Sequence, residues 1–373
     1  MPPNCYRPPL HLSHVHIPGR IPYTTSVALQ SAILAQYFAY RKGISQSPST
    51  TTTTSPGKGV PQLRIPLPTL LTFSTPPTYT VGRRHLESNP LSPSQIRYLT
   101  RNNIAASFHA SSRGGLLTYH GPGQLTAYPL IDLRAHGLGA RQYVRLLEDV
   151  VIDTCKRLGV PNVGVSCTDP GVWMVDPGPE AEDETNLRTR KVCALGVQVT
   201  RGVSSHGIGL NVFDEDIATS RERERYVFDG DDDDEGLQAS GGLGTVDEMT
   251  KGYLSWGFGR IVACGLEGKA TTWLSRERER ARQQQEGGGE TEDVRSNLRG
   301  KGWDMARVAS VLAECLRAGL RSRGKVDVEA VDVVSLRPTM HSHLKSDAGE
   351  QEQEQLQKEL LRQILGSQFR DPP

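Results

Sequence analysis

Cysteine and aromatic residues are scarce in this chain of 373 residues, with six Cys and only 6% Phe, Trp and Tyr, and no excess of one charge sign exists. Each shortage excludes something. Lys and Arg number 43 against 42 Asp and Glu, so no overall field draws the molecule to nucleic acid or a membrane surface. Partners must be recognised by local patches. No apolar run reaches the ~18 residues of a membrane-spanning helix, and the start lacks the apolar core of a secretory signal. Cys5, Cys155, Cys167, Cys193, Cys264 and Cys315 form no C-x-x-C pair and show no metal-ligand spacing. A disulfide framework and a zinc site are therefore not expected, and a reducing, intracellular compartment is. Neither G-x-x-x-x-G-K-[ST] nor a strand-borne G-x-G-x-x-G occurs, which disfavours a nucleotide-phosphate cradle. Acidic residues are also missing before Glu87, where Arg7, Arg20, Arg41 and Lys42 stand among many Ser and Thr. That is the bias of an organelle-targeting segment, although the opening prolines spoil an amphipathic helix.

What is present reads as one α/β domain with insertions. The 36% apolar content, 38 Gly and 24 Pro leave many residues outside any core. Val27, Leu29, Ile33, Leu34 and Tyr37 recur at helical spacing, and "ARQYVRLLEDVVIDTCKRLGV" is an amphipathic helix ending at Gly159. "GWDMARVASVLAECLRAGL" is a late helix. Strands are expected on both sides of Pro76 and Pro77, on both sides of "HGPG", and at "PGVWMV", "KVCALGVQV" and "GIGLNV". Composition assigns 1–17 to an N-terminal segment, 18–322 to the domain and 323–373 to a polar tail. Stretches near 43–62, 215–246 and 275–298 read as disordered inserts, because Ser/Thr/Pro runs and blocks of charge cannot bury apolar surface.

Three places could carry chemistry. "RGGLLTYHGPGQ" sets four glycines around Tyr119, His120 and Gln124, so the backbone can approach a ligand closely. A glycine-rich hairpin with a core histidine is the plainer alternative. Cys264 follows a short apolar run and precedes Gly265, a setting that can present a sulfur at a turn. A buried, inert cysteine is its alternative. Lys191 opens an apolar strand, either as an edge lysine or as a charge held near a thiolate. Spacing alone leaves these open.

The blocks "RGGLLTYHGPGQLTAYPLIDL", "KVCALGVQVTRGVSSHGIGLNV" and "IVACGLEGKATTW", in this order, closely resemble the lipoyl(octanoyl) transferases of lipoate biosynthesis. With "GRIPYTTSVALQ" and "TPPTYTVGRR" the resemblance covers most of 18–273 apart from the inserts. It implies the mixed-sheet α/β fold of the biotin and lipoate protein ligases. It also implies Cys264 as the acyl-carrying nucleophile and Lys191 as the residue that tunes it. The acyl-binding wall would comprise Arg113, Gly114, Gly115, Leu116, Leu117, Thr118, Tyr119 and His120, with Ala194, Leu195, Gly196, Gly207, Ile208 and Gly209. His206 and Asn211 would shape the pocket. No cofactor or metal is implied, since octanoate arrives on the phosphopantetheine arm of acyl carrier protein. Acceptors would be lipoyl domains of 2-oxoacid dehydrogenase complexes and the glycine cleavage H protein, in the mitochondrial matrix. Ala263 departs from the proline that often precedes the cysteine in the family. Three other readings compete: an ATP-dependent lipoate or biotin ligase, a hydrolase pairing Cys264 with His120 or His206, and a non-catalytic carrier-docking module.

Overall fold

The structure, a computed structural model, describes residues 10–46, 65–100, 106–166, 169–175, 190–216, 252–261, 269–286, 300–324, 327–334, 336, 350–367 and 369–370. Its strands are β1 (Leu10–Arg20), β2 (Ile65–Pro66), β3 (Thr69–Ser74), β4 (Thr78–Gly82), β5 (Ser107–Ser111), β6 (Thr118–His120) and β7 (Gln124–Leu130). They continue with β8 (Val163–Val165), β9 (Gly171–Met174), β10 (Arg190–Thr200), β11 (Val203–Asn211), β12 (Ala270–Thr271), β13 (Val328–Val334) and β14 (Phe369–Arg370). The helices are α1 (Tyr23–Gln46), α2 (Arg83–Ser88), α3 (Pro93–Thr100), α4 (Ala140–Arg157), α5 (Tyr253–Gly259), α6 (Leu274–Glu286), α7 (Met305–Arg323) and α8 (Glu350–Ser367).

The main sheet runs β13-β1-β3-β7-β11-β10-β9-β8, with β12 added beside β10. It is mixed: β1 is parallel to β3 and β13 and β12 is parallel to β10, while β3, β7, β11, β10, β9 and β8 pair antiparallel in succession. A smaller sheet runs β5-β4-β6, and β14 pairs with β2. The main sheet is covered on both faces, so β7 and β11 are buried along their whole lengths. On one face, Leu146, Leu147, Val150 and Val151 of α4 and Val308, Leu312 and Leu316 of α7 pack with Leu12, Leu70 and Leu210. On the other, Leu29, Ile33 and Tyr37 of α1 and Leu356, Leu360 and Ile364 of α8 pack with Val15, Ile17, Leu71 and Phe73. Neighbours such as Leu70 and Leu71 thus serve opposite cores, as a period of two requires.

Three segments differ from the sequence expectation. Strand β1 starts at Leu10, inside the segment 1–17 set apart from the domain; its histidines and serine hide the alternation of Leu12 with Val15 and Ile17. The tail 323–373 contributes β13 beside β1 and helix α8, whose polar composition conceals one buried stripe four residues apart. The start of the 275–298 insert is helix α6: Glu277 is buried, accepting from Arg190 Nε (3.1 Å) and Thr272 Oγ1 (2.5 Å). Residues 47–64, 217–251 and 287–299, which hold the rest of the three inserts, lie outside the described residues.

The flanks of 217–251 are clasped together. The Asp214 carboxylate accepts from the backbone N–H of Gly252 (3.1 Å), Leu254 (2.7 Å) and Ser255 (3.2 Å) and from Ser255 Oγ (2.6 Å), and Asp216 bridges Gly252. Loop closure therefore costs little more for a long connection than for a short one. Replacing the charged stretch 220–244 with a short Gly/Ser linker is expected to leave the denaturant midpoint, and the acyl transfer that the resemblance implies, largely unchanged. Loss of acylation in a folded deletion variant would contradict this.

Candidate active site

A cavity of about 340 Å³ opens where the smaller sheet meets β10 and β11. The loop after β5 forms one wall and is stapled in place by the buried Arg113. Its guanidinium donates to Gly114 O (2.9 Å), Leu116 O (3.1 Å), and both Thr80 O and Thr80 Oγ1 (2.8 Å each). The loop then lies directly on β10, with Gly114 N–H donating to Val197 O (3.1 Å). Only glycine at 196 permits this approach, since a Cβ there would stand 2.9 Å from Arg113 Cδ and 3.3 Å from Gly114 O. Gly115 has φ +92°, a left-handed backbone that glycine adopts without strain.

His120 donates from Nδ1 to Gln124 Oε1 (2.7 Å), because the Gln124 amide nitrogen is engaged with Asn211 Oδ1 (2.9 Å); Asn211 Nδ2 in turn donates to Thr272 O (2.9 Å). The chain of bonds fixes the neutral tautomer and leaves Nε2 as an acceptor. Burial, then the Arg113 charge, pull the His120 imidazole down to about 4 against the opposing bond to Gln124. His206 is also drawn down to about 4, by burial, Arg113 and His120 in that order. It sits at φ +55°, uncommon for a residue with a Cβ, and its backbone N–H donates to Gln30 Oε1 (2.6 Å). Its ring stands edge-on to Tyr128 at 5.3 Å, with Ser112 Oγ 3.3 Å from Nε2. Both imidazoles are therefore neutral near pH ~7.

Lys191 is buried, at 4% exposure, and its ammonium donates to Pro170 O (3.3 Å) and lies 4.4 Å from the Trp173 ring centroid. The ladder between β10 and β9 slips between Lys191 and Cys193, a bulge that breaks their alternation. Lys191 lines the cavity, whereas Cys193 is enclosed among Val172, Val192 and Leu210. Burial, with Cys155 nearby, pushes the Cys193 thiol well up although Lys191 opposes it. Burial also raises Cys155, to about 12, and Cys315. All three described thiols are thus poor nucleophiles near neutrality. Cys264 lies outside the described residues, as do Cys5 and Cys167. Beyond Cys264 the next described residue is Lys269, whose Nζ pairs with Asp169 Oδ2 (2.9 Å), and β12 then pairs Thr271 with Lys191.

Arg113, Gly114, Gly115, Leu116, Thr118, His120, Lys191, Ala194, Leu195, Gly196, His206, Gly207, Ile208 and Gly209 all line the cavity. Leu117 and Tyr119 do not. Strand alternation turns Tyr119 into a separate core with Tyr79, Trp256 and Phe258, against which Leu117 packs. Asn211 stands one layer back, holding Gln124. Sequence reasoning missed Tyr23, Arg84, Thr126, Tyr128, Val144, Leu147, Asp169, Pro170 and Val197 as wall residues. Tyr23 and Arg84 fall in motifs already singled out; Val144 and Leu147 carry no signal beyond a helix's apolar face.

Buried and half-buried titratable groups set an acid sensitivity. His14, His120 and His206 are each lowered from 6.5 to about 4, burial being the largest cause, so between those values the unfolded chain binds more protons. Their stability contribution is lost as pH falls through this window. Asp214 acts oppositely, raised by burial from 3.8 to about 6 against its hydrogen bonds, so its contribution is lost as pH rises. Three histidines outweigh one carboxyl: the denaturant midpoint should be lower at about pH 5 than at about pH 7. An equal or higher midpoint at the lower pH would refute this.

Residues 61–220 match the family model described as the lipoyl protein ligase A/B catalytic domain. The chain is 40% identical over 144 residues to a mitochondrial octanoyltransferase of Arabidopsis thaliana, covering 39% of this chain and 54% of that protein. It is 31% identical over 192 residues to a protein of Schizosaccharomyces pombe named "Probable octanoyltransferase", covering 52% of this chain and 70% of that one. An octanoyltransferase of Acidobacterium capsulatum is 39% identical over 151 residues, covering 39% of this chain and 56% of the relative. The chain thus spans about half the length of the Arabidopsis and Acidobacterium proteins.

Proposed function

The chain belongs to the octanoyltransferase family, and from that premise we propose that it moves an octanoyl group from acyl carrier protein, through a thioester on Cys264, to the lysine amine of a lipoyl domain. One observation carries the reading: a cavity with an apolar stretch of wall at Leu116, Leu195, Val197 and Ile208 holds a buried lysine beside the strand that follows Cys264. The wall suits an alkyl chain, each buried methylene contributing about 0.8 kcal/mol.

In the first half-reaction the Cys264 thiolate attacks the carrier thioester. A new carbon–sulfur bond forms, the old one breaks, and the departing pantetheine thiolate takes a proton from the Lys191 ammonium. In the second, the lipoyl-domain amine attacks the Cys264 thioester. The carbon–nitrogen bond forms, the carbon–sulfur bond breaks, and the amine's proton passes to Lys191 Nζ. The pair returns to thiolate and ammonium. Exchange of one thioester for another is close to isoenergetic, so no nucleotide is consumed. The neutral His120 and His206 act as walls and hydrogen-bonding groups.

The acceptors are lipoyl domains of 2-oxoacid dehydrogenase complexes and the glycine cleavage H protein, and the place of action is the mitochondrial matrix. The mitochondrial assignment of the Arabidopsis relative supports this placement. Mixing the protein with octanoyl carrier protein should add the mass of one octanoyl group, and adding a lipoyl domain should discharge it without ATP. Attachment of octanoate only in the presence of ATP would overturn the reading in favour of a ligase.

A further inference from the structure

Strand β11 changes face at one residue. Its Ile208 and Leu210 share the core under α4 with Leu125 and Ala127 of β7, while Val203 shares the core under α1 with Tyr128 and Leu130. A period of two therefore assigns His206 to the α4 face. Its ring stands on the other, against Gln30 of α1, Ser112 and the edge of Tyr128. The ladder is open at that point. The register between β7 and β11 pairs Ala127 with Ile208 and is met again where Asp132 bridges Val203, which sets Pro129 opposite His206. Proline has no N–H to give. Ser204 fills part of the gap, its Oγ accepting from Ile131 N–H (3.0 Å) and donating to Pro129 O (2.8 Å). The His206 N–H goes instead to Gln30 Oε1 (2.6 Å), and the left-handed φ of +55° carries the imidazole across to the α1 face. Gln30 Nε2 stands 3.4 Å from His206 Nε2, and both residues are buried.

The ring lands at the end of a trough. Ala194 pairs with Gly209 and Gly196 with Gly207, all four lining the cavity, and the next pair along the same two strands is Val197 with His206. Four residues with so little side chain leave the floor open from the Lys191 end as far as the imidazole. At a rise of about 3.3 Å per residue, Ala194 to Val197 spans only about 10 Å. We infer, on the acyl-transfer reading proposed above, that His206 is the end stop of this trough and sets the longest acyl chain the protein accepts, and that Gln30 is the positioning residue that keeps the imidazole there. Each methylene laid on the floor gains from leaving water. A methylene beyond the ring has no apolar volume to enter.

The test is a competition in which octanoyl, decanoyl and dodecanoyl carrier protein are offered together and the early acyl-enzyme adducts are read by intact mass. Glycine takes a positive φ without strain, so His206→Gly removes the ring while leaving the path of β11 allowed. A buried methylene is worth about fourfold in binding, so this variant should raise the decanoyl-to-octanoyl ratio roughly tenfold over wild type. Gln30→Leu, which withdraws the acceptor from the His206 N–H, should move the ratio in the same direction. Because the chains compete for one protein, a partial folding defect lowers all adducts and leaves their ratio alone. A wild-type ratio in folded His206→Gly would overturn the end stop. A wild-type ratio in Gln30→Leu, with every adduct reduced alike, would overturn the positioning role. Wild-type protein that forms no adduct with any chain would instead overturn the acyl-transfer reading itself, an outcome that the unmutated control separates from the other two.

Discussion

Cys264→Ala is expected to abolish both the octanoyl-enzyme adduct and octanoyl transfer, while Cys193→Ala retains both. The contrast follows from what a nucleophilic sulfur requires. A thiolate must form near neutral pH, which takes a nearby positive charge and access to substrate. Cys193 is close to Lys191 in sequence, but it is enclosed in the core and its thiol is pushed well up by burial. Its loss removes one small buried side chain and should lower stability without touching chemistry. Cys264 is separated by five residues in sequence from the strand β12, which pairs with Lys191. Intact mass after incubation with octanoyl carrier protein reads the result directly. An adduct lost in the Cys193 variant and kept in the Cys264 variant would reverse the assignment.

Lys191→Ala should impair both half-reactions, and Lys191→Arg should divide them. Arginine supplies the positive charge that favours a thiolate, so thioester formation should persist in part, allowing for the bulk of the guanidinium beside Trp173. It cannot accept the amine's proton, because guanidinium stays protonated in proteins. Amide formation should therefore fall much further, by roughly the 10²- to 10⁴-fold typical of a lost general base. Single-turnover measurements of each step across pH make the comparison. Near-wild-type rates for Lys191→Ala in both steps would return Lys191 to the role of a strand-end lysine.

The sequence was informative wherever local pattern and final burial coincide. Helix α4 declared itself by its apolar spacing, β10 and β11 by their β-rich runs, and most of the glycine-loop residues do line the cavity. It was misleading where a side chain's surroundings come from distant chain. Tyr119 belongs to the same motif as His120, yet one step along β6 turns it into another core. Helix α8 reads as a polar appendage because only Leu356, Leu360 and Ile364 are buried, and their partners lie on α1, more than three hundred residues earlier. Asp169 and Lys269 are unremarkable surface charges in sequence. Only the pairing of β9, β10 and β12 brings them to the Trp173 indole.

The clasp at Asp214 and Gly252 makes the chain divisible. A cut anywhere between 217 and 251 would part it into two fragments, the first carrying Lys191 and the second Cys264, each holding half of the proposed reacting pair. The fragments would still share the clasp, the β10–β12 ladder, the bond from Thr272 N–H to Lys191 O (2.9 Å), and the packing of α7 on α4. Co-expressed as separate polypeptides, they would act as a split enzyme whose activity reports their reassembly.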